Sequence, residues 1–365
     1  MAKIKVGIIG TGGMAKAHAG QLAQIPGCEP FMAMDVVPGR AEAFAEAHGI
    51  PWATESMGDV LSDCDAVCVV TPDRFHAEPT LAALRRGLHV LCEKPLTVTL
   101  DEAKKVARAA VKTADKHGSI HMTNFSYRNS AAFHHAAKMV ADGKLGEVRH
   151  VYARYLQAWV AADVWGNWTK EAWLWRLQTA KGSGGVLGDV GCHLLDFLTG
   201  IAGDASSIRC SFYNHPKVSP TTGRPVTKWR GGELDANDTA IIELALDGGG
   251  SAVAHTTRWA TGRANQVALE VYGSEGALMI DLDRGYTRLW VVTQAMADQA
   301  SREPDWKMID LKPTPNMWKR FITGIKTGEN DACDMVRGAQ VQSYLDACER
   351  SAADGGTPKK LRAWV

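Results

Sequence analysis

The segment KIKVGIIGTGGMA, residues 3 to 15, runs from a short apolar stretch through a glycine-rich turn into a helix-forming one. Within it GTGGMA, residues 10 to 15, fits G-x-G-x-x-G/A with Ala15 in the third position. The pattern alone is weak, but between a strand and a helix it is the phosphate-binding turn of a dinucleotide fold. Gly10 permits the tight turn, Gly12 lets backbone approach a pyrophosphate, and Ala15 is small enough for close helix packing. Thr11, Gly13 and Met14 complete the loop, and the free N–H groups of the helix start face the phosphates. Asp35 ends the next apolar stretch, CEPFMAMD (28 to 35). A carboxylate there suits the ribose hydroxyls of NAD and repels the 2′-phosphate of NADP, although Arg40 nearby partly offsets the repulsion. NAD is the expected cofactor and NADP the less favoured one.

Outward from this turn, helical and strand-like stretches alternate. RAEAFAEAHG (40 to 49) reads as a helix, DAVCVVT (65 to 71) as a strand buried on both faces, HAEPTLAALRRG (76 to 87) as a helix and HVLCEK (89 to 94) as a strand. TLDEAKKVARAAVKTADKHG (99 to 118) is a long helix with Thr99 and Glu102 at the capping-box offset, and SIHMTNF (119 to 125) is the last strand of the series. After about residue 126 the pattern changes. A helix from about 131 to 142 leads to VRHVYARYLQAW, then to a helix holding GGVLGDVGCHLLD (184 to 196). Strand-like segments follow at 207 to 213, 238 to 246, 251 to 258, 266 to 272, 277 to 281 and 287 to 293, before a final amphipathic helix at about 338 to 354 that packs back on the body. The expected class is α/β. A Rossmann dinucleotide-binding domain over 1–125 precedes an α+β domain over 126–365 with a large, mainly antiparallel open sheet.

A chain of 365 residues suits two cores better than one. Forty-one basic against 40 acidic residues leave a net charge of +1, which favours neither nucleic acid nor an anionic membrane. A small molecule is the default partner. No apolar stretch approaches the ~20 residues of a membrane span. The start, MAKIKVGIIG, lacks the long apolar core of a signal peptide, so a cytoplasmic location is expected. The eight cysteines form no C-x-x-C pair and read as free core thiols, and no metal site is expected. Five of the twelve tryptophans fall between 159 and 175. They suit either core packing or a platform for the apolar faces of a sugar ring.

The chemistry should lie where strands end. In a doubly wound sheet ligands sit at the carboxyl ends of the strands, so Lys94 emerges where a nicotinamide would lie, with Glu93 beside it. Lys-Pro restricts the backbone at this turn and admits a cis bond. Thr71 and Pro72 end the preceding strand and form the other wall, and His76 opens the next helix. In GGVLGDVGCHLLD, an α-helix would align Asp189, His193 and Asp196 along one face. Those residues alone leave open a metal site, a proton-transfer pair or a wet helix face. Cys192 reads as a packing residue, and the glycines before Asp189 as places where backbone approaches a substrate.

In their order along the chain, GTGGMA with Asp35, TPDRFH, CEKP, Tyr127-Arg128, GGVLGDVGCHLLD, VYGSEG (271 to 276) and the C-terminal helix resemble one family. It is that of glucose-fructose oxidoreductase, inositol dehydrogenase and rhizopine-catabolism enzymes (Gfo/Idh/MocA), and the resemblance covers nearly the whole chain. It implies a Rossmann domain carrying NAD(P), a second domain whose open sheet forms a homodimer or homotetramer, and reversible hydride transfer at a hydroxyl-bearing carbon of a sugar or cyclic polyol. The family's catalytic lysine maps onto Lys94 and its aspartate-histidine pair onto Asp189 and His193. His193 can take the hydroxyl proton, and Lys94 can bind the same oxygen and stabilise its developing charge. Asp189 can hold a neighbouring hydroxyl or steady the imidazolium, which leaves Asp196 a structural role.

The resemblance places Tyr127, Arg128, Gln157, Trp175, Arg176 and Arg258 on the substrate side, and implies a ring hydroxyl, at C3, of a pyranose, anhydro-sugar or glycoside. The chain departs from the family in having Ser126 before the Tyr-Arg pair, with Asn124 two residues earlier. Three alternatives remain. One is a redox glycosidase that uses the same residues with Tyr127 as base for the C–H. The others are a hydrolase with a metal on Asp189, His193 and Asp196, and a non-catalytic NAD-binding regulator.

Overall fold

The computed structural model describes residues 3–300 and 302–363. They divide into two compact units, residues 3–126 with 315–342, and residues 127–314 with 343–362.

In the first unit, strands and helices alternate as β1 (Ile4–Ile9), α1 (Ala15–Leu22), β2 (Cys28–Met34), α2 (Arg40–His48), β3 (Trp52–Thr54), α3 (Met57–Asp63), β4 (Ala66–Val69), α4 (Ala77–Arg85), β5 (His89–Cys92), α5 (Leu100–His117) and β6 (His121–Thr123). All strand pairs are parallel, in the order β3-β2-β1-β4-β5-β6. The order reverses at β1, so the crevice beyond its carboxyl end is where a doubly wound sheet receives its ligand. β4 is buried along its whole length, as expected of a strand with helices over both faces. The capping box at Thr99 and Glu102 starts α5, and Gly118 in the left-handed conformation ends it. The sequence reading passed over β3 and α3, which are short.

The second unit begins with α6 (Ala131–Ala141), β7 (Val148–Gln157) and α7 (Glu171–Leu174), and reaches α8 (Cys192–Ala202). Then come β8 (Ala205–Tyr213), two small ribbons, β9 (Lys217–Val218) with β10 (Pro225–Val226) and β11 (Lys228–Trp229) with β12 (Gly232–Glu233), and the long strands β13 (Thr239–Leu246), β14 (Ser251–Thr257), β15 (Asn265–Gly273), β16 (Gly276–Asp281) and β17 (Arg288–Thr293). The chain ends with α9 (Gln294–Gln299), β18 (Lys307–Asp310), α10 (Met317–Thr327), α11 (Met335–Ala353) and β19 (Lys359–Lys360). Among the described residues the main sheet has the order β18-β17-β16-β15-β7-β14-β13-β8-β19. Its pairs are antiparallel except β14 with β7. β13 alternates buried and exposed side chains, the mark of a sheet covered on one face. α8 supplies the cover, with Leu194, Leu195, Phe197 and Leu198 fully buried, and α6 packs beside it.

Two expectations change at the chain end. Residues 315–342, read as part of the second domain, group with the first unit. The final helix begins at Met335 and is not amphipathic. Arg337, Gln342 and Ser343 are buried along with Ala339, Val341, Tyr344 and Leu345. All eight cysteines are buried free thiols, and no helix among the described residues is long and apolar enough to cross a membrane.

Candidate active site

The glycine loop sits at the end of β1. Gly10 has φ +93°, and a Cβ there would lie 2.9 Å from the Thr71 backbone nitrogen, so the position requires glycine on two counts. Added Cβ atoms at Gly12 and Gly13 would meet nothing within 4 Å, which leaves the loop open on that side. Ala15 is fully buried, Met14 is half exposed, and α1 starts without a side-chain cap. Asp35 completes the cradle. Its Oδ2 accepts from the Thr11 N–H (3.0 Å) and hydroxyl (2.7 Å), its Oδ1 accepts from the Val37 N–H (3.0 Å), and the Arg40 guanidinium stands 3.8 Å away. Burial works against its charge, but the Thr11 and Val37 bonds and Arg40 prevail, and its pKa lies below the usual range. An open loop, an uncapped helix start and an ionised carboxylate beside them fit a dinucleotide.

β5 runs into Glu93, Lys94 and Pro95, and the Lys94–Pro95 peptide is cis. Glu93 is buried. Its Oε1 accepts from His18 Nε2 (2.8 Å) and Asn124 Nδ2 (2.6 Å), and its Oε2 from the Lys94 N–H (3.2 Å). Burial opposes ionisation, but His18, Asn124 and the Lys94 charge outweigh it and take the Glu93 pKa to about 2. The Glu93 carboxylate is therefore engaged in bracing the lysine turn. His18, held edge-on by Trp318 at 5.3 Å, and Asn124 are contributors the sequence reading did not assign. Lys94 is half-buried, and Pro72 is exposed at the mouth of the preceding turn. His76 is buried, with Nδ1 2.8 Å from the Pro95 carbonyl oxygen and Nε2 2.8 Å from that of Thr71.

In the second unit, GGVLGDVGCHLLD is not one regular α-helix. Leu187–Gly191 form a π-helical turn, and the α-helix starts at Cys192. The wider turn removes Asp189, His193 and Asp196 from a common stripe. Asp189 turns to two arginines, Arg258 Nη2 at 3.0 Å and Arg176 Nε at 3.6 Å. Asp196 turns into the core and accepts from Arg128 Nε and Nη2, both at 2.7 Å. His193 is 7% exposed, with the Tyr127 ring edge-on to it at 4.9 Å.

Arg258 is fully buried. It also donates to the carbonyls of Arg176 and Gly185, both at 2.8 Å, and its guanidinium lies 5.2 Å from the Trp159 ring centre. Arg176 stacks between Trp173 (4.8 Å) and Trp175 (4.6 Å). Gly185 has φ +65°, and a Cβ there would strike the Asn237 side chain at 2.4 Å. That glycine serves an internal contact and not the approach of a substrate.

Tyr127 and Gln157 enter one polar network. The Tyr127 and Tyr155 hydroxyls lie 2.5 Å apart, and Asn265 Nδ2 donates to Tyr127 (2.9 Å). Tyr155 donates to Asn265 Oδ1 (2.9 Å), Gln157 Nε2 donates to the same oxygen (2.8 Å), and Trp159 Nε1 donates to Gln157 Oε1 (3.0 Å). Burial, with Tyr127 beside it, raises the Tyr155 pKa well above the ordinary value, so that phenol stays protonated. Tyr155 and Asn265 lacked any local sequence signal. Most of the tryptophan-rich segment packs as a small core in which Trp159, Trp168, Leu174, Leu177 and Leu234 are buried against Trp173, Trp229 and Trp259. Of the five tryptophans that suit either core packing or a platform, Trp159 and Trp168 are core residues.

The open glycine loop at the end of β1 and the ionised Asp35 beside it define the class of the first unit, a dinucleotide-binding domain. Residues 4–122 match the family described as "Oxidoreductase family, NAD-binding Rossmann fold", and residues 133–279 match the "GFO/IDH/MocA C-terminal domain". Levoglucosan dehydrogenase of Pseudarthrobacter phenanthrenivorans is 30% identical over 302 residues, 78% of this chain and 75% of that one. D-glucoside 3-dehydrogenase of Escherichia coli is 33% identical over 196 residues, 53% of this chain and 52% of that one. The solved structure of levoglucosan dehydrogenase in complex with NADH and L-sorbose matches with a TM-score of 0.84 at 25% identity, covering 99% of this chain and 100% of that one. The chain belongs to the Gfo/Idh/MocA family of oxidoreductases, and its first domain is an NAD-binding Rossmann domain.

Proposed function

We propose that this enzyme oxidises a ring hydroxyl of a pyranose, anhydro-sugar or glycoside, with C3 as the position, and that it uses NAD in preference to NADP. The observation that carries the reading is an Asp189 whose carboxylate is fixed by the buried Arg258 and by Arg176, four residues before a buried His193. An aspartate held by two guanidinium groups is a good fixed hydrogen-bond acceptor. It binds a neighbouring hydroxyl. His193, with an intrinsic pKa near neutrality, takes the proton of the reacting hydroxyl. Lys94 hydrogen-bonds that oxygen and stabilises its developing negative charge, and it shares the proton-transfer role. Bound NAD supplies the hydride acceptor. Tyr127, steered by Asn265 and Tyr155, and Arg176, stacked on Trp173 and Trp175, contribute to the substrate side.

The ring position draws support from the relatives named for levoglucosan and for the 3-position of D-glucosides. Asp35 supports NAD, because a 2′-phosphate would meet its ionised carboxylate. Assembly as a homodimer or homotetramer is part of the proposal. Its support is the uncovered sheet face, where strand register sets Tyr213, Ile241 and Tyr272 on one side and leaves all three exposed. Eight free buried thiols favour a reducing, cytoplasmic setting.

The test is a panel of free sugars, anhydro-sugars, sugar acids and aryl glycosides with NAD and with NADP, scoring NADH and released aglycone together. Stoichiometric NADH from a free or anhydro-sugar is expected. Aglycone release without net NADH would replace the reading with a redox glycosidase, and no reaction on any ring hydroxyl would overturn both.

A further inference from the structure

A line of contacts in the first unit joins the lysine turn to the nucleotide loop, and its centre is an imidazole. His76, 1% exposed just before α4, places Nδ1 2.8 Å from the Pro95 carbonyl oxygen and Nε2 2.8 Å from the Thr71 carbonyl oxygen. A carbonyl oxygen only accepts, so both bonds exist only if both ring nitrogens carry hydrogen. A neutral ring has one N–H and would turn a lone pair toward one of the two oxygens in a buried site. Thr71 in turn packs closely on the loop, with its backbone nitrogen 2.9 Å from where a Gly10 Cβ would be.

We propose that His76 is a permanently protonated imidazolium that ties the Lys94–Pro95 turn to Thr71 and so to the glycine loop, a positioning residue for the lysine and the nucleotide together. Its position costs something. Burial and the positive end of α4 both disfavour a cation there. Against burial act Cys92 of β5, Asp73 of the turn before α4 and the Pro95 carbonyl, and the pKa rises to about 10. Of the other ionisable side chains around it, Arg74 is exposed over the Phe75 ring, Lys94 is half-buried, Glu78 in the first turn of α4 is exposed, and Glu93 is held by His18 and Asn124. The charge is therefore retained across the working range of an enzyme. Two short bonds from one rigid planar ring fix the two strand ends more tightly than a neutral side chain with one donor could.

The test uses the full chain labelled with 15N-histidine, with NAD+ present. Two-bond 15N–1H spectra between pH 6 and 9 should contain one imidazole, among the twelve histidines of the chain, that keeps both nitrogens protonated throughout. That signal should vanish in H76Q. A pH 9 spectrum in which every imidazole shows an unprotonated nitrogen overturns the proposal, and this wild-type measurement stands even if the variant does not fold. The positioning role is read from NAD+ binding by tryptophan fluorescence at a temperature where H76Q is folded. A dissociation constant raised about tenfold is expected, and one equal to the wild type would overturn that role. Neither readout depends on which sugar the enzyme oxidises.

Discussion

Arg128 grips Asp196 with two parallel hydrogen bonds of 2.7 Å, and the two side chains are 6% and 2% exposed. Planar guanidinium and carboxylate groups matched in this way form the stronger kind of ion pair. The pair takes the Arg128 guanidinium away from the substrate contact that its place after Tyr127 suggests. It also takes Asp196 away from any shared ligand set with Asp189 and His193. Removing one partner strands a buried charge, so D196A should lose about 3–5 kcal/mol of stability in urea unfolding. Replacing both partners, as in R128M/D196L, should recover much of that loss. A D196A unfolding midpoint equal to the wild type would contradict the assignment.

The proton-transfer roles predict a different signature. K94A and H193A should each lower kcat by about 10²- to 10⁴-fold while leaving stability within about 1 kcal/mol of the wild type. Single-turnover NADH formation is the measurement. A kcat within a few-fold of wild type in K94A would remove the lysine from the chemistry.

The proposed preference for NAD puts its weight on Asp35. Replacing it in D35S removes a negative charge from the ribose end, and kcat/KM for NADP should rise while that for NAD falls, by about tenfold each. The fall for NAD includes the loss of the brace on Thr11. Unchanged preference in D35S would mean that Arg40, or another side chain, decides between the two cofactors.

Glu93 predicts an acid limb. Its pKa drops from the ordinary 4.5 to about 2 in the folded chain. Between those values the unfolded chain binds the extra proton, so stability rises with pH in that window. The contribution is fully present above pH 4.5 and is lost as the pH falls toward 2. Urea midpoints measured down this range should fall for the wild type and less steeply for E93Q. Parallel curves for the two proteins would refute the assignment.

The sequence made the nucleotide half legible because its signals are local. Gly10, Gly12, Ala15 and Asp35 are dictated by backbone geometry within one strand-turn-helix-strand unit, and Thr99 with Glu102 caps α5 through three adjacent residues. Asp189 and His193 stand out only through the family resemblance, because their type and spacing alone leave three readings open, and their surroundings are not legible at all. A π turn differs from an α turn by one residue of bonding, which no periodicity over five residues resolves. Arg128 finds its carboxylate 68 residues away and Arg258 finds Asp189 69 residues away, so only the folded chain tells a substrate arginine from a structural one. The tryptophans raised the same ambiguity, since an indole that packs and an indole that stacks on a ligand look alike in sequence.

β7 lies inside the large sheet between β15 and β14, and both neighbours are made much later in the chain. His150 waits for Ser251, 101 residues downstream, before its parallel edge is covered. Closing such a loop costs entropy before any pairing repays it, and sheets assembled this way form slowly. During synthesis the amphipathic strand VRHVYARYLQ would emerge with both edges open, and at about 5–20 residues per second its partners follow seconds later. The middle of the sheet is accordingly the part of this domain that closes last.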